Sequence, residues 1–185
     1  VDYDVRVTAS DGTLIQGGET TWENGLNLAN TAANAGCTMT LMRNIDLTTT
    51  YGISSTQAVT NTFTLDLNGK TLSASINGSV LNPKTANKTL TIKDAKGSGS
   101  IRNIANNYNG TAYCVNVSGG SLILKSGTLY VQNNTATSGR KAAALYNKAN
   151  TTIEMRGGKL EAHGYNETYA VLQEKEKGTP IFTLN

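Results

Sequence analysis

Three basic residues recur at the same position of a repeated strand pattern, which makes them candidates for ligand contact. Lys93, Lys125 and Arg156 each lie three residues past the first apolar residue of a short alternating segment. On a strand whose first and third residues face inward, that position faces outward, so the bases should form one exposed row. Such a row could contact successive carboxylate or sulfate groups of a polysaccharide. We therefore expect Lys93, Lys125 and Arg156 to bind ligand.

A structural interpretation of the same bases is also open. The corresponding position in the two preceding segments is occupied by Met42 and Asp66. Like charges that face each other on a sheet repel, so a run of three bases needs an offset. Asp94 and Glu154 are close enough in the pattern to supply that offset.

The carboxylates show no arrangement typical of catalysis or metal binding. Asp46, Asp66, Asp94 and Glu154 stand at different offsets in their segments, whereas calcium needs about six to eight oxygen ligands. The single histidine, His163, has no cysteine or carboxylate partner at ligand spacing and is predicted to lie on the surface. The sequence therefore predicts no catalytic residue, no metal site and no cofactor.

Composition indicates an all-β chain and gives no sign of nucleic-acid or membrane binding. Charged residues make up 16% of the chain and aromatic residues 6%, while Asn, Thr and Gly are abundant and typical helix formers are few. The net charge of +3 is too small to indicate nucleic acid, and no apolar run is long enough to span a membrane. Cys114 is predicted to be buried, and its distance from Cys37 along the predicted coils argues against a disulfide bridge.

Short alternating segments recur along most of the chain. Their first apolar residues are spaced by roughly 24 to 32 residues, and most are followed two positions later by another apolar residue. Each repeat continues with a second and a third apolar stretch, separated by turns rich in Gly, Asn and Ser. The first apolar residues, which we call anchors, are Met39, Phe63, Leu90, Leu122, Ile153 and Ile181.

An amide residue ends the third stretch of each repeat. A side-chain amide both donates and accepts hydrogen bonds, so amides on coils about 4.8 Å apart can bond to one another. The sequence therefore predicts a structural ladder at one corner, formed by Asn61, Asn82, Asn116, Asn147 and Gln173.

This pattern resembles the right-handed parallel β-helix of the pectin-lyase-like superfamily, over roughly residues 37 to 185. The resemblance implies an all-β solenoid of about five to six coils, with three short strands per coil. We expect a single domain, in which residues 1–36 form one or two strands and a capping helix, and residues 37–185 form coils that continue beyond residue 185. Lyases and glycosidases of the superfamily use grouped acidic residues, and no group here matches theirs.

A capping helix is predicted from about residue 21 to residue 35. Thr20 or Thr21 can serve as its N-cap, and Gly36 can end it. The helix would cover the first coil, whose strand edges and apolar core are otherwise exposed. Its apolar face comprises Trp22, Leu26, Ala29 and Ala33.

Two motifs resemble those of Gram-positive cell-surface adhesin-like proteins, namely DLNGKTL (residues 66–72) and TLTIKDAKGSG (residues 89–99). This resemblance implies a non-catalytic module, structural or adhesive, of a secreted or cell-wall-attached bacterial protein. Its expected partners are a polysaccharide or a host cell-surface glycan. The alternative is a fragment of a β-helical polysaccharide lyase or glycoside hydrolase that acts on acidic polysaccharide.

Overall fold

The computed structural model describes residues 2–106, 110–136, 138–148, 150–174 and 178–185. Within these ranges the helices are α1 (Trp22–Asn30), α2 (Leu47–Tyr51) and a 3-10 turn (Ala32–Asn34). The strands, numbered along the chain, are β1 (Val5–Thr8), β2 (Leu14–Thr20), β3 (Thr38–Leu41), β4 (Ile45–Asp46), β5 (Gln57–Val59), β6 (Phe63–Asp66), β7 (Thr71–Ala74), β8 (Ser79–Pro83), β9 (Thr89–Lys93), β10 (Ser100–Ala105), β11 (Thr111–Val117), β12 (Ser121–Leu124), β13 (Thr128–Asn133), β14 (Lys141–Asn147), β15 (Thr152–Met155), β16 (Lys159–Gly164), β17 (Thr168–Gln173) and β18 (Ile181–Leu184).

Three sheets run along the molecule. In spatial order, sheet A is β18-β15-β12-β9-β6-β3-β1-β2, sheet B is β16-β13-β10-β7-β4, and sheet C is β17-β14-β11-β8-β5. Strands of successive coils pair in parallel, whereas β1 pairs antiparallel with both β2 and β3. The chain is therefore the predicted all-β parallel β-helix, with about five turns and consistent with right-handed winding. Within the described ranges, no helix has the length and apolar character needed to cross a membrane.

Period-2 alternation builds the core of the solenoid. Alternate side chains of each strand point inward, and equivalent positions of adjacent coils stack into continuous apolar columns. Burial of one such aliphatic side chain contributes about 1.5–3 kcal/mol. Two of these columns, with no residue more than 1% exposed, are Leu65–Ile92–Leu124 in sheet A and Leu72–Ile101–Leu129 in sheet B.

Helix α1 begins where predicted and covers the first coil. The Oγ1 atom of Thr21, the N-cap, accepts a hydrogen bond from the backbone N–H of Asn24 at 3.4 Å. Three of the predicted apolar residues, Trp22, Leu26 and Ala29, are buried. The helix contacts β1, β2 and β3, so it closes the end of the solenoid as expected.

The same helix ends earlier than predicted. Its last residue is Asn30, and Ala33, which was expected to extend the buried face, is exposed. Thr31 already has an extended backbone, with ψ at 128°. The side-chain amide of Asn61 donates to the carbonyl oxygens of Ala29 and Thr31, at 3.0 and 2.8 Å. The carbonyl of Ala29 thus accepts a hydrogen bond from the side chain of Asn61 and not from a backbone N–H of a further helical turn.

A buried carboxylate ties the N-terminal hairpin to the helix and to the first coil. Asp4, which the sequence analysis did not single out, is 1% exposed. Its Oδ2 atom accepts a hydrogen bond from the backbone N–H of Trp22 at 2.9 Å, and its Oδ1 atom lies 2.5 Å from Nε of Arg43. The Arg43 side chain is half exposed.

Two of the six predicted anchors are out of register. Met39 pairs with Leu65, two residues past its predicted partner, and Ile153 pairs with Phe182 rather than with Ile181. A shift of two residues keeps the same face of a strand inward, so alternation alone cannot detect it. At the last strand, adjacent apolar residues leave the inward face ambiguous, and Ile181 is in fact 52% exposed.

The predicted amide ladder is wrong. Asn116 pairs with Tyr146, whereas Asn147 pairs with Val117 and Gln173, one position further along the strands. Asn147 is fully buried, but Asn116 is only partly buried and Gln173 is exposed. Asn147 and Gln173 therefore share a position, but Asn116 is one residue out of line with them, and the ladder is not continuous.

The earlier coils depart further from the predicted ladder. Asn82 pairs with Ala58, and Asn61 lies beyond the end of β5. The reason for the mismatch of Asn116 and Asn147 is their spacing from the core: Asn116 directly follows Val115, whereas Tyr146 stands between Leu145, the partner of Val115, and Asn147. Asn116 and Asn147, although both stand near the end of their strands, consequently lie on different faces of sheet C.

Buried asparagines stabilise this solenoid through backbone carbonyls. The side-chain amide of Asn103 donates to the carbonyl oxygens of Ile76, Gly78 and Tyr113 at 3.2, 3.0 and 2.9 Å. Backbone carbonyl oxygens near the corners of the coils thereby gain a hydrogen-bond donor inside the protein. Among the described residues, the buried asparagines that act in this way are Asn61, Asn103, Asn133 and Asn147.

Asp94 stabilises the corner between sheets A and B. Its Oδ1 and Oδ2 atoms each accept a 2.6 Å hydrogen bond, from the backbone N–H groups of Gly69 and Gly99 respectively. Burial by itself would raise the pKa of Asp94, but bonds from these two groups and from the N–H groups of Lys96 and Gly97 hold the pKa below its ordinary value. This carboxylate is therefore a structural acceptor.

We expect Asp94→Ala to lower the free energy of unfolding by about 2–4 kcal/mol at pH 7, because one buried and one partly buried N–H group lose a charged acceptor. Since the folded-state pKa is depressed, this stabilisation is complete above the unfolded-state pKa of about 3.9 and is lost as the pH falls through the folded value. Urea unfolding at pH 7 and at pH 3 measures both effects. The exposed Lys96→Ala is the control, and a difference that grows in acid would contradict the assignment.

Candidate functional site

The structure brings the three candidate bases to one edge of sheet A. Lys93 ends β9, and Lys125 and Arg156 directly follow β12 and β15. The backbone N–H of Lys125 donates to the carbonyl of Ile92, and that of Arg156 donates to the carbonyl of Leu124, both at 2.8 Å. The bases therefore occupy equivalent positions on adjacent coils.

The row of residues that contains the three bases begins at Asp66, and not at Met42 as predicted. Asp66 pairs with Lys93 and precedes it in the row. Because Thr40 pairs with Asp66, Met42 lies two positions beyond the row and does not belong to it. This error follows from the register of the first coil.

Two of the three bases are already ion-paired. Nζ of Lys93 lies 3.2 Å from Oδ2 of Asp66, and the guanidinium of Arg156 binds both carboxylate oxygens of Glu154 at 2.8 and 2.9 Å. The bond from Arg156 lowers the pKa of Glu154. In the described part of the chain Lys125 is exposed and has no carboxylate partner. The positive charge of the row is thus largely offset.

A second surface, on sheet B, carries chemistry that the sequence analysis missed. The register aligns Arg102 with Tyr130 and Glu161, and it aligns Gln132 with His163. The side chains of these residues point outward from three adjacent coils. We define the sheet-B face as Arg102, Tyr130, Gln132, Asn134, Glu161, His163 and Tyr165.

Planar side chains are stacked at the centre of the sheet-B face. The guanidinium carbon of Arg102 lies 4.4 Å from the centroid of the Tyr130 ring. The His163 ring lies 5.1 Å from the same centroid, at an interplanar angle of 30°. Arg102 and His163 belong to the strands on either side of β13, so Tyr130 is held between them. A cation over an aromatic ring contributes about 0.5–1 kcal/mol at an exposed site.

A directional chain of hydrogen bonds runs from this stack toward the corner of the coil. The Tyr130 hydroxyl donates to Oε1 of Gln132 at 2.7 Å, and Nε2 of Gln132 donates to Oδ1 of Asn134 at 2.5 Å. Nδ2 of Asn134 in turn donates to Oδ1 of Asn106 at 2.8 Å. Each carboxamide has two N–H groups and two lone pairs on oxygen, so Gln132 and Asn134 each retain donor and acceptor capacity.

Two depressions open on this surface. One, of about 260 Å³, is lined by Gln132, Asn134, His163, Gly164 and Tyr165. The other, of about 230 Å³, is lined by Ser100, Arg102, Thr128, Tyr130 and Glu161. Tyr130 and Gln132 lie two residues apart on β13 and share a face, so the two depressions that they line are neighbours.

His163 has a carboxylate neighbour that was not predicted. Its Nε2 atom lies 3.6 Å from Oε2 of Glu161, whose other oxygen is 2.6 Å from Nζ of Lys159. The bond from Lys159 is the main cause that lowers the pKa of Glu161. Residues two apart on a strand share a face, so the sequence Glu161-Ala162-His163 could have predicted that the carboxylate and the imidazole are neighbours. No group of three or more potential metal ligands occurs in the part of the chain that the structure describes.

Both cysteines are free and buried, which confirms the predicted burial of Cys114. Burial raises the pKa of both thiols. The Cys114 thiol donates to the carbonyl of Ile101 at 3.2 Å, inside the core. Neither thiol is positioned for nucleophilic chemistry.

In comparison with known proteins, the chain matches no family model, no curated protein and no solved structure.

Proposed function

We propose that this chain is a non-catalytic module of an extracellular or cell-wall-attached bacterial protein that binds a polysaccharide or a host glycan. The coil-by-coil repetition of its outward side chains carries this proposal. Equivalent positions such as Lys93, Lys125 and Arg156 recur on adjacent coils, about 4.8 Å apart in a parallel solenoid. That spacing is comparable to the repeat of an extended glycan, so one polymer can contact several coils.

The roles of the acidic residues support binding rather than cleavage. Asp94 accepts hydrogen bonds from backbone N–H groups, Asp66 pairs with Lys93, and Glu154 pairs with Arg156. A general acid or base has to be free to exchange a proton with substrate. These carboxylates stabilise the fold instead.

The cellular setting is proposed from the motifs. The corner segments DLNGKTL and TLTIKDAKGSG resemble Gram-positive adhesin-like proteins, and three strands per coil resemble the pectin-lyase-like superfamily. A stacked solenoid suits a surface protein because each coil supports the next and the whole forms a stiff binding surface.

We expect the basic row to contribute little to affinity, because Lys93 and Arg156 are engaged in ion pairs. The variant Lys93→Ala/Lys125→Ala/Arg156→Ala should bind an acidic polysaccharide, hyaluronan, no more than about fivefold more weakly at low salt, which corresponds to about 1 kcal/mol for one exposed charge. High salt should remove the difference. Isothermal titration at two salt concentrations measures both.

Lys84→Ala/Lys88→Ala/Lys96→Ala is the control for this experiment, since it removes the same charge outside the row. A loss of a hundredfold in the row variant alone would show that the bases dominate binding. Release of unsaturated or reducing-end products by the parent chain would refute the non-catalytic assignment and favour a lyase or hydrolase. Failure of the parent chain to bind any glycan would refute the function as a whole.

A further inference from the structure

The larger depression on the sheet-B face has a distinctive lining. Its residues come from the ends of β13 and β16 and from the turns that follow, and none of them is Lys, Arg, Asp or Glu. Its titratable members are His163 and Tyr165. A site with this lining offers hydrogen bonds and an aromatic surface without a fixed charge.

The hydrogen-bonding groups of this depression are already oriented. The chain from Tyr130 through Gln132 to Asn134 uses one donor and one acceptor of each carboxamide. In the described residues no further partner occupies the remaining N–H and lone pair of either amide. Adjacent donors and acceptors on planar amides match the vicinal hydroxyl groups of a sugar, each of which can donate and accept. Because the amides are held by one another, binding costs little side-chain entropy.

Tyr165 supplies the apolar part of the site. Tyr165 is 72% exposed. Among the described residues, it is the aromatic member of the exposed large hydrophobic residues, which otherwise are Leu14, Ile181 and Leu184. Tyr130, by contrast, is covered by Arg102 and His163. An exposed tyrosine ring beside a polar depression can pack against the C–H face of a pyranose while its hydroxyl remains in water.

Charge and size narrow the ligand class. The Glu161 carboxylate, 3.6 Å from Nε2 of His163, is already paired with Lys159 at 2.6 Å, and no Lys or Arg lines the depression, so an acidic sugar would find no cationic partner there. The volume of about 260 Å³ is below the range of about 300–1,000 Å³ for pockets that hold drug-sized ligands. One sugar ring fits, and the rest of a chain would remain outside.

We propose that the depression formed by Gln132, Asn134, His163 and Tyr165 is a subsite for one uncharged pyranose unit. The subsite rests on the proposed glycan-binding function and specifies its location and ligand class. Tyr165 packs against the ring, and the two amides bind neighbouring hydroxyl groups. The basic row on sheet A is not part of this contact.

The test uses cellohexaose, mannohexaose and maltohexaose as neutral probes and a hyaluronan hexasaccharide as the acidic probe, each titrated by calorimetry. We expect at least one neutral probe to bind, and Tyr165→Ala and Gln132→Ala each to weaken that binding by about tenfold. Tyr165→Phe should retain the parent affinity, because the ring and not its hydroxyl makes the contact. Backbone amide NMR signals that shift on titration should include residues 132–134 and 163–165.

Matched controls separate this subsite from the rest of the surface. Tyr169→Ala and Gln173→Ala remove the same side-chain types from sheet C and should bind the neutral probe within about twofold of the parent. If Tyr165→Ala and Gln132→Ala bind as well as the parent, the subsite is wrong although glycan binding stands. Stronger binding of the hyaluronan probe at the same NMR signals would overturn the ligand class. Binding of no probe to the parent would overturn the proposed function together with the subsite.

Discussion

Replacement of Trp22 by alanine is expected to lower the free energy of unfolding by about 3–5 kcal/mol. Trp22 is 1% exposed and is the first residue of the helix that closes the solenoid. Its indole Nε1 donates to Oε1 of Gln57 on the first coil at 3.4 Å. Truncation removes the largest buried side chain of this end and leaves a cavity between the helix and the first coil. Neighbouring coils are held in register by stacking and cannot collapse into that space.

Urea unfolding followed by circular dichroism measures the effect, and Leu14→Ala is the control. Leu14 is also apolar and also belongs to the N-terminal region, but it is 53% exposed. Its truncation should change the free energy of unfolding by less than about 0.5 kcal/mol. Equal effects of the two substitutions would show that the helix does not close the core.

Arg43→Ala should be nearly as harmful, with an expected loss of about 3 kcal/mol. Asp4 is buried in the folded protein, and removal of the guanidinium leaves the N–H of Trp22 as the remaining partner of its carboxylate among the described residues. Asp4→Asn should cost less, about 1–2 kcal/mol, because the half-exposed Arg43 can then be hydrated. If the two residues shared the energy of the ion pair equally, the two substitutions would instead cost the same.

The double variant Asp4→Asn/Arg43→Ala tests the reason for this asymmetry. If a stranded charge causes the loss, the double variant should be more stable than Arg43→Ala alone, since no buried charge remains. Arg6→Ala is the control, because Arg6 and Glu19 form an exposed pair worth less than about 1 kcal/mol. A double variant that is less stable than either single variant would show that the pair itself dominates.

Part of the candidate site could be predicted from the sequence. Lys93, Lys125 and Arg156 were placed on one face because each follows a strand with clear alternation, and the register of β9, β12 and β15 agrees with that alignment. One of the two expected charge offsets is confirmed, because Glu154 binds Arg156. The other is wrong. Asp94 was expected to offset the bases, but its carboxylate is used by backbone N–H groups, and Asp66 binds Lys93 in its place. Alternation identifies a face, but it does not identify which partner a side chain selects.

The subsite on sheet B could not be assembled from the sequence pattern alone. Gln132 and His163 are 31 positions apart and become neighbours through the pairing of β13 with β16. The repeats differ in length, so a position counted from one anchor does not locate its neighbour on the next coil. The exposed ring of Tyr165 follows a strand end, where periodicity carries no information about orientation.

Local sequence patterns were sufficient to predict the all-β solenoid, its approximate number of coils, the start of the capping helix and the outward position of the basic row. Each of these depends on local rules, namely period-2 alternation, turn residues and an N-cap at Thr21. Packing between coils selected the register of the amides, the end of the helix at Asn30 and the partner of Lys93. A shift of one or two residues changes little in local propensity, but it changes which side chains meet on adjacent coils, and only the packing of complete coils selects among such shifts.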